Sequence, residues 1–262
     1  MKKFFTLSFL FILLAGLLVI LTTKKVEKPS GTLLPENVAK PTSKFTAPSC
    51  HTTLKFSDEE YEVNWIVVED IDKITLRSNL EVKLTAKEIK ENNLCQHLIS
   101  GGFFTLENKH IGLFISEEKR ISEAENSDLF NGYFYIDKNN KANISTSIPN
   151  FPKLALQSGP ILIKNDKPQL LNLKNDEHAR RIVVALNKNG HTIFLAIYDK
   201  SNFIKGPLLS ELPRLLVNLE KNTDLDFQNA LNLDGGAHST FISDTIVLTE
   251  LSTIGGWFCV KP

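Results

Sequence analysis

A carboxylate, an imidazole and two hydroxyls stand together in Asp234-Gly-Gly-Ala-His238-Ser239-Thr240. Such a set can hold or move a proton and hydrogen-bond a polar ligand. Gly235 and Gly236 free the backbone for a tight turn or for close approach to a bound molecule. The preceding Asn229-Ala-Leu-Asn-Leu233 alternates, with Leu231 and Leu233 on one side and Ala230 and Asn232 on the other. That is the period of a half-buried strand. The polar cluster is therefore expected at the end of a core strand. A polar β-turn is the structural alternative for this triplet taken alone.

Three further stretches carry comparable groups. Leu98-Ile-Ser-Gly101-Gly102-Phe-Phe104 brings a strand to a Gly-Gly pair; a bulge beside core phenylalanines is the alternative. Gln157 and Ser158 interrupt the apolar run 154–163 just before Gly159-Pro160. Buried polar groups need partners, so these two either meet a ligand or form a structural hydrogen-bonded pair. His178-Ala-Arg-Arg181 leads into the strand that ends at Leu186. Arginine is the preferred fork for phosphate or carboxylate, although a surface charge is common at a strand mouth. Glu107 is a possible second acid or an exposed turn residue. Asp176, Glu177 and His178 read as a loop or, alternatively, as a metal-binding or proton-shuttling edge.

The elements that must position these groups follow from periodicity. Strands are predicted over 61–68, 74–77, 111–115, 131–136, 154–163, 181–186 and 193–198. Thr85-Ala-Lys-Glu88 is a capping box, predicting a short helix from Ala86 to about Asn93. Asn189-Gly190 predicts a hairpin turn. Leu208, Leu209, Leu212, Leu215, Leu216 and Leu219 form one helical face, with Ser210 as the expected N-cap and Pro213 in the first turn.

The chain has 262 residues, 42% hydrophobic and 23% charged, enough for one sizeable domain. Lys+Arg and Asp+Glu both number 30, so no basic excess points to nucleic acid. Lys2 and Lys3 precede an uncharged, Leu-, Ile- and Phe-rich run from Phe4 to Thr23, closed by Lys24 and Lys25. The run is long enough to span a bilayer, and Leu21-Thr22-Thr23 is a poor cleavage site. An uncleaved signal-anchor over 1–25 is expected, with the bulk of the chain outside the cytoplasm; secretion after cleavage is the alternative. Residues 26–49 hold four prolines and no apolar period, and read as a linker. The folded domain is expected over 50–262. Cys50, Cys95 and Cys259 match no zinc spacing; a Cys50–Cys259 staple and three free thiols are both open.

Four of these blocks, in this order, resemble the phosphodiester glycosidase family, bacterial relatives of the lysosomal mannose-6-phosphate uncovering enzyme. They are Ser100-Gly-Gly-Phe-Phe104 with Ile111-Gly-Leu113, Gln157-Ser-Gly-Pro160, Arg181-Ile-Val-Val-Ala185 with its Asn-Gly hairpin, and Ala230-Leu-Asn-Leu-Asp-Gly-Gly-Ala-His-Ser-Thr240. The chain departs from the family pattern at Ser100, Ile182, Ala185, Ala237 and His238. The resemblance implies hydrolysis of a sugar joined through its anomeric carbon to a phosphodiester, in an extracytoplasmic glycan or glycolipid. It implies Asp234 as base, nucleophile or electrostatic stabiliser and Arg181 as the phosphate ligand; His238, outside the family pattern, is a candidate proton donor or else a surface hydrogen-bonding residue. Gln157, Ser158, Asn232 and Ser239 would bind substrate, and Gly101, Gly102, Gly235 and Gly236 would let backbone amides approach it. No cofactor is expected, and dependence on a divalent metal is left open. A non-catalytic envelope module binding glycan or protein is the alternative. The strand-rich pattern predicts a single α+β domain of mostly antiparallel or mixed, strand-rich sheets with a few packed helices, behind the N-terminal membrane anchor.

Overall fold

The computed structural model describes residues 49–147 and 149–262. The expected anchor at 1–25 and almost all of the linker at 26–49 lie outside the described residues. Among those described, no helix is long and apolar enough to cross a membrane.

The chain runs through β1 (Ser49–Phe56), β2 (Glu59–Val68), β3 (Ile74–Ser78), α1 (Ala86–Asn92), β4 (His97–Ser100), β5 (Phe114–Ser116) and β6 (Lys119–Ser122). It continues through β7 (Gly132–Ile136), β8 (Ala142–Ser145), β9 (Leu154–Ser158), β10 (Ile161–Lys164), β11 (Lys167–Pro168), β12 (Arg181–Leu186) and β13 (Thr192–Asp199). Last come α2 (Leu212–Asn222), β14 (Asn229–Asn232), β15 (Phe241–Ile242), β16 (Val247–Leu248) and β17 (Gly256–Val260).

Three sheets result, ordered β1-β2-β13-β12-β14-β10-β11, β16-β15-β4-β17-β3 and β6-β5-β9-β7-β8. The assigned strand pairings are antiparallel, the first of the two arrangements expected from the sequence. Tight hairpins explain part of this, because a short turn can join only antiparallel neighbours. Ser57-Asp58, Glu117-Glu118 and Asn165-Asp166 each place two successive residues at positive φ, as such turns require.

One core fills the space between the seven-stranded sheet and the other two. Ile182, Val184, Leu231 and Leu233 meet Leu76, Ile99, Phe134, Leu156 and Phe258 there. The other face of the seven-stranded sheet takes α2, whose Leu212, Leu215, Leu216 and Leu219 are fully buried against Val63, Val183, Ala185 and Leu195. Each such leucine contributes about 1.5–3 kcal/mol. The alternation predicted for β14 is present: Leu231 and Leu233 enter the first cluster and Ala230 the second.

Several local expectations change. The Thr85 capping box forms as predicted, but Ser210 does not cap α2; Glu211 occupies that position without a side-chain bond. Asp176 supplies the missing acceptors instead, taking the Leu209 and Ser210 amides at 2.9 and 2.8 Å. The strand expected over 111–115 begins only at Phe114, because Gly112 bends the chain at φ +80°. The disulfide joins Cys95 to Cys259, and Cys50 is free. Cys50 lies on β1, whose sheet does not include Cys259 on β17.

Candidate active site

Asp234 follows β14 at the mouth of the seven-stranded sheet. Burial pushes its carboxyl up to about 8, with the Gly235 N–H pulling the other way. As a whole residue Asp234 keeps partial exposure, so a ligand can reach it. A carboxyl in this state carries its proton at neutral pH. The chain then enters a 3-10 turn over Gly236–His238, with Gly236 at φ +62°. A Cβ at Gly235 would collide with the Arg180 carbonyl oxygen, which also accepts the Gly236 N–H at 2.8 Å.

Arg180 immediately precedes β12 and Arg181 opens it, and the two extended neighbours point opposite ways. Arg180 is 1% exposed and is the largest fully buried side chain. Its Nε donates to Ser239 Oγ at 2.8 Å, and its Nη2 donates to the carbonyls of Gly236 (3.3 Å), Thr249 (3.0 Å) and Ser239. Burial lowers it to about 10, with Glu250 and Tyr198 opposing that shift. Arg180 therefore clamps the turn after Asp234. Arg181 lies on the α2 side. Leu233 N donates to Ile182 O at 2.8 Å, so the register Val183↔Asn232 continues to set Arg181 across from Asp234. The Arg181 guanidinium donates to Pro207 O at 3.0 Å and to Glu177 O, and pairs with Asp176 at 3.5 Å.

Gln157 and Ser158 end β9. The four hydrogen-bonding positions of the Gln157 amide are all taken. Its Oε1 accepts from the N–H groups of Leu113 (3.0 Å) and Glu125 (2.9 Å), and its Nε2 donates to the carbonyls of Glu125 (2.6 Å) and Phe130 (2.8 Å). Gln157 thus fastens the segment 125–130 and has no group left over for a sugar. Ser158 Oγ donates to Asn232 O at 2.7 Å, and Asn232 Nδ2 donates to Gly159 O at 2.8 Å. The Asn232 Oδ1 is buried without a hydrogen-bond partner among the described residues.

The Gly-Gly block closes the group. Ser100 Oγ accepts the Thr240 N–H at 2.9 Å, tying β4 to the Asp234 turn. Gly101 N–H donates to Gly256 O at 3.0 Å, and a Cβ at Gly101 would lie 2.7 Å from the Phe258 ring. Gly102 adopts φ +97°. These glycines therefore permit close packing against Gly256 and Phe258. Beyond them Phe103 packs on Phe130 at 4.8 Å, and Phe104 meets His238 edge-on at 5.4 Å. His238 is exposed, with Nδ1 2.7 Å from Ser252 Oγ.

All four sequence blocks thus connect: Ser100 to Thr240, Phe103 to the loop held by Gln157, Ser158 to Asn232, and Arg180 to Gly236 and Ser239. Asp176, Glu177 and His178 do not form a metal edge. Asp176 holds the amides before α2, and His178 Nδ1 lies 3.0 Å from Gly206 O. No group of three or more His, Cys, Asp or Glu among the described residues is placed to hold a metal. Glu107 is exposed, away from these connections.

Sequence reasoning missed Arg180, whose doubled-arginine position was the available signal. It also missed His110, which stacks on Phe114 at 3.9 Å beside Gly102, bonds Ser78 Oγ at 2.8 Å and is pushed down to about 4 by burial.

The fold has counterparts among known proteins. The catalytic domain of zebrafish N-acetylglucosamine-1-phosphodiester alpha-N-acetylglucosaminidase, auto-inhibited by its pro-peptide, matches with a TM-score of 0.63 and 13% identity, over 83% of each chain. A protein from Synechocystis matches at 0.52 and 14%, over 80% of this chain and 61% of that one. A third, from Burkholderia pseudomallei, matches at 0.55 and 10%, over 78% and 74%. At these identities the likeness is one of fold. No curated protein matches the sequence significantly. The phosphodiester glycosidase family model matches residues 93–255, which span all four blocks. The chain belongs to the phosphodiester glycosidase family and is a glycosidase-type hydrolase.

Proposed function

We propose that the protein hydrolyses the bond between the anomeric carbon of a sugar and the phosphate of a glycan or glycolipid phosphodiester, outside the cytoplasm. The observation that carries this reading is the raised Asp234 carboxyl at the point where the four blocks meet. An ionised aspartate would repel a phosphodiester anion, whereas a protonated one can donate a hydrogen bond to it. As the glycosidic C–O bond breaks, the Asp234 proton passes to the leaving phosphate oxygen. Water adds its hydroxyl to the anomeric carbon, and its released proton restores the acid.

This gives Asp234 the donor role expected of His238. His238 stays on the rim, where its ring and Phe104 can flank a sugar. Arg181, across from Asp234, supplies positive charge for the phosphate. The unpartnered Asn232 Oδ1 suits a sugar hydroxyl. Gly235 and Gly236 keep the turn open to close approach. Ser158, Ser239 and Gln157 act by holding backbone, and Gly101 and Gly102 by allowing their loop to pack under it. The Cys95–Cys259 bond supports an oxidising, extracytoplasmic location, since disulfides seldom persist in the cytosol. The lysine-flanked run before Lys24 would tether the domain to a membrane. Sugar release from a sugar-1-phosphodiester, assayed beside Asp234→Asn, tests the reading; release that persists unchanged in the variant would overturn it.

A further inference from the structure

Behind the Gly236–Ser239 turn lies a cavity of about 370 Å³ lined by residues that include Arg180, Asn202, Phe203, Val247, Thr249 and Leu251. Its size falls in the small-molecule range of roughly 300–1,000 Å³. Asp234 does not line it, and neither does any acidic side chain.

Two features point to a ligand. The first is the guanidinium on its wall. Arg180 is 1% exposed and spends Nε and Nη2 on Ser239, Gly236 and Thr249. None of these four bonds uses its Nη1, which carries two N–H donors. Glu250 acts on Arg180 electrostatically; its Oε1 accepts the Ala86 N–H at 2.7 Å, and its Oε2 is buried without a hydrogen bond to the guanidinium. A buried guanidinium with an idle donor edge favours an oxyanion. The second feature is the rim: Phe203, Val247 and Leu251 are 58%, 64% and 69% exposed around this one opening. Apolar side chains gathered at a cavity mouth mark a contact for an apolar group.

We propose that this cavity binds a small amphipathic anion, its phosphate or carboxylate head on Arg180 Nη1 and its hydrocarbon tail against Phe203, Val247 and Leu251. The same guanidinium holds Gly236 and Ser239, so an occupant would stiffen the turn that follows Asp234.

The test is calorimetric titration of the full-length chain with hexyl phosphate, hexanoate, hexanol and inorganic phosphate. At least one of the two hexyl anions is expected to bind saturably, at least tenfold tighter than hexanol and inorganic phosphate. Which of them binds better identifies the head group. Val247→Asp combined with Leu251→Asp, both at exposed sites, should weaken binding at least tenfold without lowering the melting temperature. Asp234→Asn should leave the affinity unchanged, which separates this cavity from the hydrolytic site. The proposal is overturned if neither anion saturates, if hexanol or phosphate binds as tightly, if the double variant keeps its affinity, or if Asp234→Asn abolishes binding. No arm reads hydrolysis, so failure here is distinct from failure of the glycosidase reading.

Discussion

Arg180 Nε donates to Ser239 Oγ at 2.8 Å, and through this bond and the adjoining carbonyl contacts a buried cation fixes the turn that follows Asp234. Its neighbour Arg181, the first residue of β12, points to the opposite side. Truncating the two should therefore have different consequences. Arg180→Ala leaves three carbonyls and a hydroxyl without this donor, and each lost bond to a charged group is worth about 1.5–3 kcal/mol. A loss of more than about 3 kcal/mol is expected in urea unfolding. Arg181→Ala loses the bonds to Pro207 O, Glu177 O and Asp176, so it should also cost stability, but less than Arg180→Ala, and it should lower kcat/KM by on the order of 100-fold, as for loss of one group stabilising transition-state charge. Equal unfolding midpoints for the two variants would contradict the division of roles.

Asp234 sets two pH dependences. Its folded pKa of about 8 lies above the ordinary 3.8, so between these values the folded protein holds a proton that the unfolded chain has lost. Stability from this group therefore falls as pH rises from about 4 to about 8 and levels off above. Asp234→Asn removes that slope. The melting-temperature difference, variant minus wild type, should grow across this window. Activity should follow the same proton, with kcat/KM declining as pH passes through about 8. A kcat/KM that climbs through that range would assign Asp234 as a base.

The two glycines after Asp234 differ in kind. A Cβ at Gly235 meets the Arg180 carbonyl oxygen, whereas at Gly236 the nearest atom is the Ala179 Cβ at 3.8 Å and the difficulty is φ +62°. Gly236→Ala should cost about 1–2 kcal/mol, the usual penalty for the left-handed region. Gly235→Ala should cost more and also depress activity, because the strand-to-turn junction must move. Denaturant titration of both variants checks the order.

Cys95 and Cys259 are separated by 164 residues, an interval containing all four blocks. Cys95→Ser with Cys259→Ser, or reduction with dithiothreitol, should destabilise the domain by about 2–5 kcal/mol. An unchanged melting temperature under reducing conditions would show that the bond does not constrain the chain.

Much of the strand framework was readable in the sequence because it depends on local signals. The alternation of 229–233, the Asn189-Gly190 turn and the Thr85 capping box each specify geometry within a few residues, and each appears in the structure. The α2 leucine stripe was equally legible, but its N-terminus was not. The group that satisfies the amides before it is Asp176, which is 33 and 34 residues away in sequence. The site shows the same limit. The chemistry of Asp234 was visible as a residue type, but its raised pKa comes from burial that only the tertiary fold creates. Gln157 looked like a ligand group because it interrupts an apolar run, and the four backbone partners that satisfy it come from segments 27 to 44 residues away. Telling which of Arg180 and Arg181 is buried in the turn and which is left for the phosphate depends on which of them faces inward, and a doubled residue does not show that. Cysteine pairing was likewise undetermined, since it depends on which strands become neighbours.

The most direct test of the central claim is sugar release from a panel of sugar-1-phosphodiesters by the wild-type protein and by Asp234→Asn, each with its fold verified by circular dichroism. The account predicts release from at least one member by the wild type and a loss of at least 100-fold in the variant, the scale of a general acid's contribution. Equal release by both proteins would contradict it, because Asp234 would then be a turn residue and the reaction would belong to another site.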